Sequence, residues 1–457
     1  MDFVEHCHRL ALSVILDVVY NHLGPVGNHF YPPLCNIFSE RYSTPWGRCI
    51  NYDGPPGSDF VREIFAQNVE YWLKTFRFDG LRFDAVHAIF DSSPKHILTE
   101  MTERANRVAQ EEGRVVVLIA ESDLNDPRVV SPGPYGYGFD GQWSDDFHHA
   151  LHAVMTGENN GYYSDFGRIE DLVDAYNHSF VYNGRYSAYR QKTHGGADAS
   201  RLARWRFVVY MQNHDQVGNR FRGGERMSTL VDFETYKIGA VATIMSPFTP
   251  MIFMGEEYME ENPPFLFFSD RRTGDEEGHK EGRKREFMAF GGTGDLYDPP
   301  TDVSAFQRSK LDWRSLTKAA NSSCRRLYSD LISMRRTMVI GSEFIGARKF
   351  GQRGVVFAYR HDGYTLNVAL SFPPGNGRML LPPLSRVLLD TGWKKYGGGE
   401  RENTRAVEDS SAVIYMTEGG HTLTSPVSPQ RNRPAAGSGP GRQGGQGSTG
   451  GNRSQNR

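Results

Sequence analysis

The stretch GLRFDAVHAI, Gly80 to Ile89, reads as a buried strand interrupted by two charges. Side chains at i and i+2 of a strand share a face, so Arg82 and Asp84 point one way while Leu81 and Phe83 point the other. A cation and an anion on one face of an apolar strand require a polar environment on that side. Outward from this stretch, short apolar runs alternate with segments of helical period, the pattern of a parallel α/β sheet. SVILDVVY (Ser13 to Tyr20) is a buried strand. Phe60, Ile64, Val69, Trp72, Leu73 and Phe76 predict a helix across Ser58 to Phe76 that leads into Gly80 to Asp84. A helix around Pro94 to Glu111 precedes the strand RVVVLIAE, Arg114 to Glu121. Gly138 to Trp143, RFVVYMQNHD (Arg206 to Asp215) and PMIFMGEE (Pro250 to Glu257) bring the strands to six. Polar residues gather at the strands' C-terminal ends, the edge where (β/α)8 barrels place their active sites.

A chain of 457 residues exceeds one compact core, so two or three domains are expected. After Leu311 the texture changes: GVVFAYRHDGYTLNVALSF, SRVLLDTG and SSAVIYMTE alternate apolar and polar residues around turns, which predicts a small antiparallel β-sandwich. From Pro426 the chain is Gly, Ser, Pro, Gln and Asn with arginines and no acid, a composition that predicts disorder. The expected domains are therefore a catalytic β/α region over 1–310, the sandwich over 311–420 and a disordered tail over 421–457. A formal net charge of −2 argues against a nucleic-acid partner, and no apolar run is long enough to span a membrane. Cys7, Cys35, Cys49 and Cys324 show no CxxC spacing, which predicts reduced thiols and a cytoplasmic location.

Three carboxylates stand at or just past strand ends: Asp84, Glu121 in LIAESD, and Asp215 in MQNHDQVGN. Asp17 and His22 from DVVYNH, Arg82 and His214 accompany them. A strand-terminal Asp alone is more often a helix cap or ion-pair partner, and a lone His more often a packing residue. Seven polar residues converging on one sheet edge shift that balance, because like charges raise each other's pKa and stability does not require three acids together. Cleaving a glycosidic bond with retention needs one ionised carboxylate to attack and one protonated carboxyl to donate to the leaving oxygen. Arg82 would hold Asp84 ionised as the nucleophile, and Glu121, near other acids and partly desolvated, would act as acid and then base. Asp215 would hold hydroxyls and favour the cationic transition state, with His22 and His214 donating to the same sugar ring.

These residues resemble the four motifs of the α-amylase superfamily, glycoside hydrolase family 13. DVVYNH resembles the first, GLRFDAVHA the second, IAESD the third and QNHDQVGN the fourth, in the family's order. The resemblance puts the nucleophile, acid/base and transition-state stabiliser on Asp84, Glu121 and Asp215. TPWGRCINYDGPPGSDFVR, AESDLNDPRVV, GQWSDDFHHALHAVMTGENNGYYSDFG and SKLDW are similar to the malto-oligosyltrehalose trehalohydrolases in particular. That resemblance implies hydrolysis of the α-1,4 bond between a maltooligosaccharide and a terminal trehalose, without a metal or organic cofactor. It implies substrate contacts at Asn21, His22, Arg82, His87, Asp146, His148, His149, His214, Gln216 and Asn219. SDDFHHALH also reads as a helix N-terminus, Ser144 capping and Asp145 and Asp146 facing the dipole; GEE at Gly255 to Glu257 binds sugar or closes the barrel edge. The family's usual calcium site lies in an insertion that is short here, Leu23 to Ser58, so no structural metal is expected. The first motif normally closes the third barrel strand, yet it begins here at residue 17. The expected fold is thus a (β/α)8 TIM-type barrel missing its first two βα units, followed by the C-terminal β-sandwich. Two other functions compete: a 1,4-α-glucan branching enzyme, which shares the four motifs, and an inactive glucan-binding fragment.

Overall fold

Polar inward faces and apolar outward faces organise the computed structural model, which describes residues 1–23, 35–44, 46–220, 224–261, 303–374, 378–399 and 403–418. The expected tail, 421–457, and much of the short insertion after the first motif lie outside the described residues. Six strands form one parallel sheet in chain order: β1 Ile15–Val18, β2 Gly80–Phe83, β3 Val117–Ala120, β4 Gly141–Trp143, β5 Phe207–Val209 and β6 Thr249–Pro250. Helix α1 (Asp2–Arg9) precedes β1, α2 (Ser58–Thr75) precedes β2 and α3 (Ile97–Glu112) precedes β3. Leu81, Phe83, Leu118 and Ala120 pack outward into a cluster with Val61, Phe65, Val69 and Leu73 of α2 and Ile97, Met101 and Ala105 of α3. Burying this face is the main drive for laying the helices on the sheet.

The inward face reads differently. Register pairs Asp17 of β1 with Arg82 of β2 and Arg82 with Ile119 of β3, so these side chains form one row across the sheet. Trp143, Val208 and Tyr210 continue the inward side as a small separate cluster flanked by Ile119 and Met251. The charges of the opening stretch thus face the interior of the curved sheet, opposite the helices.

Two strands are shorter than the apolar runs suggest. Arg206 to Asp215 is extended only over Phe207–Val209, because Asn213 caps a short helix, His214–Gly218. Of Pro250 to Glu257 only Pro250 is in the sheet, in the strand Thr249–Pro250, before the chain turns at Gly255, φ 84°, into a 3-10 turn over Glu256–Tyr258. Three further helices matter below: α4 (Asp145–Thr156), α5 (Ile169–His178) and α6 (Phe233–Ile244).

After α7 (Ala319–Met334) come five antiparallel strands: β7 Glu343–Phe350, β8 Gly354–His361, β9 Tyr364–Ser371, β10 Arg386–Asp390 and β11 Ser411–Glu418, in the order β7-β8-β9-β11-β10. Alternation decides which face each residue joins. Val355, Phe357, Tyr359, Leu366, Val368 and Leu370 enter the large core with α4, α5 and α6. Val356, Ala369, Val413 and Tyr415 instead pack beneath a two-stranded ribbon of Met379–Leu380 and Ala406–Val407. Among the described residues no helix is long and apolar enough to cross a membrane.

One position makes the sheet's tolerance measurable. A Cβ built on Gly80 would sit 2.2 Å from the carbonyl oxygen of Val117 on the neighbouring strand, backbone that cannot step aside without parting β2 from β3. Gly80→Ala is expected to lower the unfolding free energy by about 2 kcal/mol or more, as overpacking does, read from urea denaturation of the two proteins.

Candidate active site

The residue that organises the cleft is Arg82, 5% exposed in the row described above. Its Nη1 donates to Asp17 Oδ1 at 2.7 Å and to Asp84 Oδ1 at 3.0 Å, while Nη2 donates to Glu121 Oε2 at 2.6 Å. The guanidinium lies 4.2 Å from the centroid of the Trp143 ring. Burial works against the charge of Arg82, but Glu121, Asp17 and Asp84 raise its pKa overall. The cation is therefore permanent.

Asp84 follows β2 directly. Besides Arg82 it accepts from Asn21, whose Nδ2 reaches Asp84 Oδ2 at 2.9 Å and the Asp84 carbonyl at 3.1 Å. Asn21 is 1% exposed, so its amide is a fixed donor at the foot of that carboxylate. The chain then enters the left-handed region at Ala85, φ 39°. That turn aims the Ala85 amide at Glu121 Oε2, 2.9 Å away. An alanine held there stores backbone strain of the kind found at functional sites.

Glu121, just past β3, is the carboxyl with a displaced proton affinity. Burial pushes its pKa up to about 7; Arg82 opposes the rise, Asp215 and Asp84 add to it, and the Ala85 amide opposes it. One guanidinium thus serves two carboxyls in different surroundings. Asp84 is met by a cation and an amide donor, while Glu121 is desolvated enough to hold a proton near neutral pH.

Asp215 lies in the helix His214–Gly218, its backbone amide 2.9 Å from Asn213 Oδ1. His214 Nε2 is 3.6 Å from Asp215 Oδ2 and its ring meets Trp143 edge-on at 6.0 Å. Burial and then Arg82 lower the His214 pKa, while Asp17, Glu121 and Asp84 oppose the fall. His22 stacks on Trp46 at 5.7 Å and hydrogen-bonds Asn21; burial lowers its pKa while Asp84 raises it. His87 Nδ1 stands 3.6 Å from Asp123 Oδ1, and Asp123 is also held by Arg190 at 3.0 Å. Asn219 ends the short helix, its amide bonded to the Asp215 carbonyl at 2.8 Å.

Several expected substrate contacts are instead engaged inside the fold. Asp146 Oδ2 accepts from Asn125 Nδ2 at 2.8 Å and from the amides of Val181 and Tyr182 at 2.7 and 2.8 Å. Its carboxylate ties the segment after α5 to the start of α4. His148, fully buried, bridges the Met211 carbonyl and the Tyr163 hydroxyl at 2.9 and 3.0 Å. His149 packs against Tyr162, Tyr163 and Phe166, and burial holds its pKa down to about 3. Gln216 accepts the Asn213 amide at 3.2 Å in a capping box. Ser144 does not cap α4; its hydroxyl donates to the Ser179 carbonyl at 3.3 Å. Glu256 of GEE is 1% exposed and accepts from Tyr328 of α7 at 3.0 Å, which makes it part of the packing against that helix. Trp143, Asp123, Asp145 and Tyr210 were missed as site residues. Trp143 was open to discovery, since it ends a strand at the polar edge; Tyr210 lies within an apolar run that gives no such sign.

Parallel strands in chain order, with acids from three of their ends facing one interior, are the layout of a β/α-barrel glycosidase. A crystal structure from Salmonella typhimurium, assigned as an alpha amylase, matches with TM-score 0.77 and 31% identity, covering 91% of this chain and 70% of that one. The chain belongs to the α-amylase family. Within it, a malto-oligosyltrehalose trehalohydrolase of Saccharolobus solfataricus is 51% identical over 336 residues, 73% of this chain and 56% of the relative. Another, from Arthrobacter ramosus, is 40% identical over 369 residues, 80% of this chain and 64% of the relative. The chain thus spans a little over half the length of these curated relatives. No family model matches it.

The strained turn gives this site its own test. Ala85→Gly relieves the left-handed backbone and is expected to change stability by less than about 1 kcal/mol. Ala85→Val, β-branched at positive φ and only 3% exposed, is expected to lose about 2 kcal/mol or more. Thermal unfolding of the two variants against the parent checks the contrast.

Proposed function

We propose that this chain carries the catalytic apparatus of a retaining α-glycoside hydrolase that cuts the α-1,4 bond between a maltooligosaccharide and a terminal trehalose, releasing trehalose. Asp84 is the nucleophile, Glu121 the general acid and then base, and Asp215 the group that holds sugar hydroxyls and favours the oxocarbenium-like transition state. The observation that carries this reading is the division of one guanidinium between Asp84 and Glu121, with burial driving Glu121 to about 7.

In the first step Asp84 attacks the anomeric carbon while Glu121 gives its proton to the bridging oxygen, so trehalose leaves as a neutral alcohol. Arg82 and Asn21 donate to the attacking carboxylate and orient it. In the second step Glu121, now anionic and ion-paired with Arg82, takes a proton from water as the water opens the glycosyl ester. Arg82 fits this cycle because it accommodates either charge state of Glu121 without moving far. The choice of substrate rests on the likeness to the two trehalohydrolases; an α-glucan in the cleft is the partner implied.

The direct experiment is incubation with maltooligosyltrehalose and chromatography of the products. Free trehalose supports the reading. New α-1,6 branches, or glucose and maltose without trehalose, replace it with another activity of the family. Asp84→Asn is expected to remove turnover by about 10³-fold or more, and Glu121→Gln by about 10²- to 10⁴-fold, both measured as kcat/KM. The pH profile follows from Glu121: the acid works protonated, and its pKa is raised to about 7. Activity is therefore expected to hold below that pH and to fall tenfold per unit well above it, a limb that a wild-type profile between pH 5 and 9 would reveal.

A further inference from the structure

Asp215 stands on a segment that leaves β5, enters the helix His214–Gly218 at Asn213 and runs on to Asn219 and Arg220. Both ends of that segment are held from α4. At the near end His148 Nδ1 donates to the Met211 carbonyl at 2.9 Å. At the far end Arg220 closes a two-pronged ion pair on Glu158, Nη1 to Oε2 at 3.0 Å and Nη2 to Oε1 at 2.5 Å. Glu158 follows α4 past its C-cap, Gly157, and its amide donates to Thr156 Oγ1 at 3.1 Å. None of these side chains takes part in the steps above.

The two anchors belong to one unit. His148 and His152 are one turn apart on α4, and Tyr163 joins them. Its ring stacks on His152 at 4.1 Å and 7°, and its hydroxyl meets His148 Nε2 at 3.0 Å. His152 Nε2 in turn lies 2.8 Å from Glu158 Oε2. Burial alone would raise the Glu158 pKa; His152 and Arg220 outweigh it and bring the carboxyl down to about 2. An ionised carboxylate only accepts, so His152 donates here. Arg220 also donates from Nε to Glu225 Oε2 at 3.0 Å. An exposed ion pair would hold little in place, but Arg220 is 11% and His152 3% exposed at the side chain, and the pair is forked. Between the anchors the amides of Val217 and Asn219 donate to the carbonyls of Asn213 and Asp215 at 3.1 and 2.8 Å. A helix of five residues makes too few bonds of its own to keep its place, so a shift at Arg220 is passed on to Asp215.

We infer that Glu158 is a positioning residue for Asp215: backed by His152, it grips Arg220 and fixes the far end of the segment whose near end His148 holds. The inference rests on the glycosidase reading of Asp215 given above. Asp215 has to meet the sugar as positive charge builds on the ring, and a misplacement of about 1 Å there costs up to about 10²-fold in rate. Glu158 acts through Arg220 and the backbone, without contact to the sugar.

The test is a double-mutant cycle in the full chain. Glu158→Gln keeps the side chain's shape and one accepting oxygen but removes the charge and one prong. It is expected to lower kcat on maltooligosyltrehalose by about 10-fold while KM moves by less than about twofold. In an Asp215→Asn background the same substitution is expected to cause no further loss, because no carboxylate remains to be placed. Equal loss in both backgrounds, or no loss in either, assigns Glu158 a merely structural part and overturns the inference. Arg220→Lys, which keeps a charge without the fork, is expected to follow the same pattern by less, and it decides if Glu158→Gln does not fold. Hydrogen exchange read by mass spectrometry follows the anchor without substrate. Glu158→Gln is expected to speed exchange over residues 213–220 and to leave α3 as it was. A wild-type chain without turnover refutes the proposed function, and exchange then decides the role of Glu158. Faster exchange confined to 213–220 supports the anchor; unchanged exchange, or a rise shared by α3, overturns it.

Discussion

One buried cation sets the terms for the rest of the cleft. Arg82 touches carboxylates from three positions, Asp17, Asp84 and Glu121, and rests its flat face on Trp143. Lysine could not take this place: its ammonium is a point charge, whereas the guanidinium fork reaches two carboxyls from two nitrogens and still stacks on an aromatic ring. Three anions around a single cation leave the corner with excess negative charge. Burial drives Glu121, the most buried of the three, up to about 7, while Asp84 gains a further donor in Asn21. The difference between the two carboxyls is thus a matter of environment.

The same arrangement explains why the parallel strands are so short. A strand that ran on past Phe83 or Val209 would commit the next backbone amides to the ladder. Here the Asp84 amide still donates to Val18 of β1, but the Ala85 amide turns to the Glu121 carboxyl, and further along the chain the Asp215 amide donates to its cap, Asn213. Period-two alternation made the outward apolar face and the inward charged face readable from Leu81, Arg82, Phe83 and Asp84 alone. The point where each ladder stops was not readable, because it is decided by acceptors far along the chain. Arg206 to Asp215 is apolar enough for a long strand, yet Asn213 and Gln216 satisfy each other across a capping box and start a helix. A motif of four residues did hold that information, but apolarity outweighed it.

Asp84, Glu121, Asp215 and their companions stand out in the sequence because charge at the end of an apolar run has few structural explanations. Asp146, His148 and Gln216 have partners within the fold that the sequence does not announce. Polar residues near a cleft can be consumed by backbone groups that no local pattern announces, such as the amides of Val181 and Tyr182 or the carbonyl of Met211. The C-terminal sheet shows the same limit on a larger scale. Its alternation was plain, but its inner face is not a core of its own: it joins α4, α5 and α6 in one apolar cluster. Lys237 of α6, fully buried, donates to the carbonyls of Thr391 and Tyr396 at 2.7 and 3.1 Å. With the Glu234 carboxylate 2.8 Å away on the same helix, those carbonyls offset the cost of burying the ammonium, so the two layers depend on each other.

The adjacent acids Asp145 and Asp146 bring these strands of reasoning together. Both sit in the first turn of α4, where the helix N-terminus favours negative charge, and by sequence they are interchangeable. A helix turns about 100° per residue, so neighbours face different surroundings. Asp146 turns into the fold and spends its carboxylate on amides. Asp145 turns toward the aromatic side of the cleft and accepts the Tyr210 hydroxyl. The first is held by enough donors to act as a structural pin.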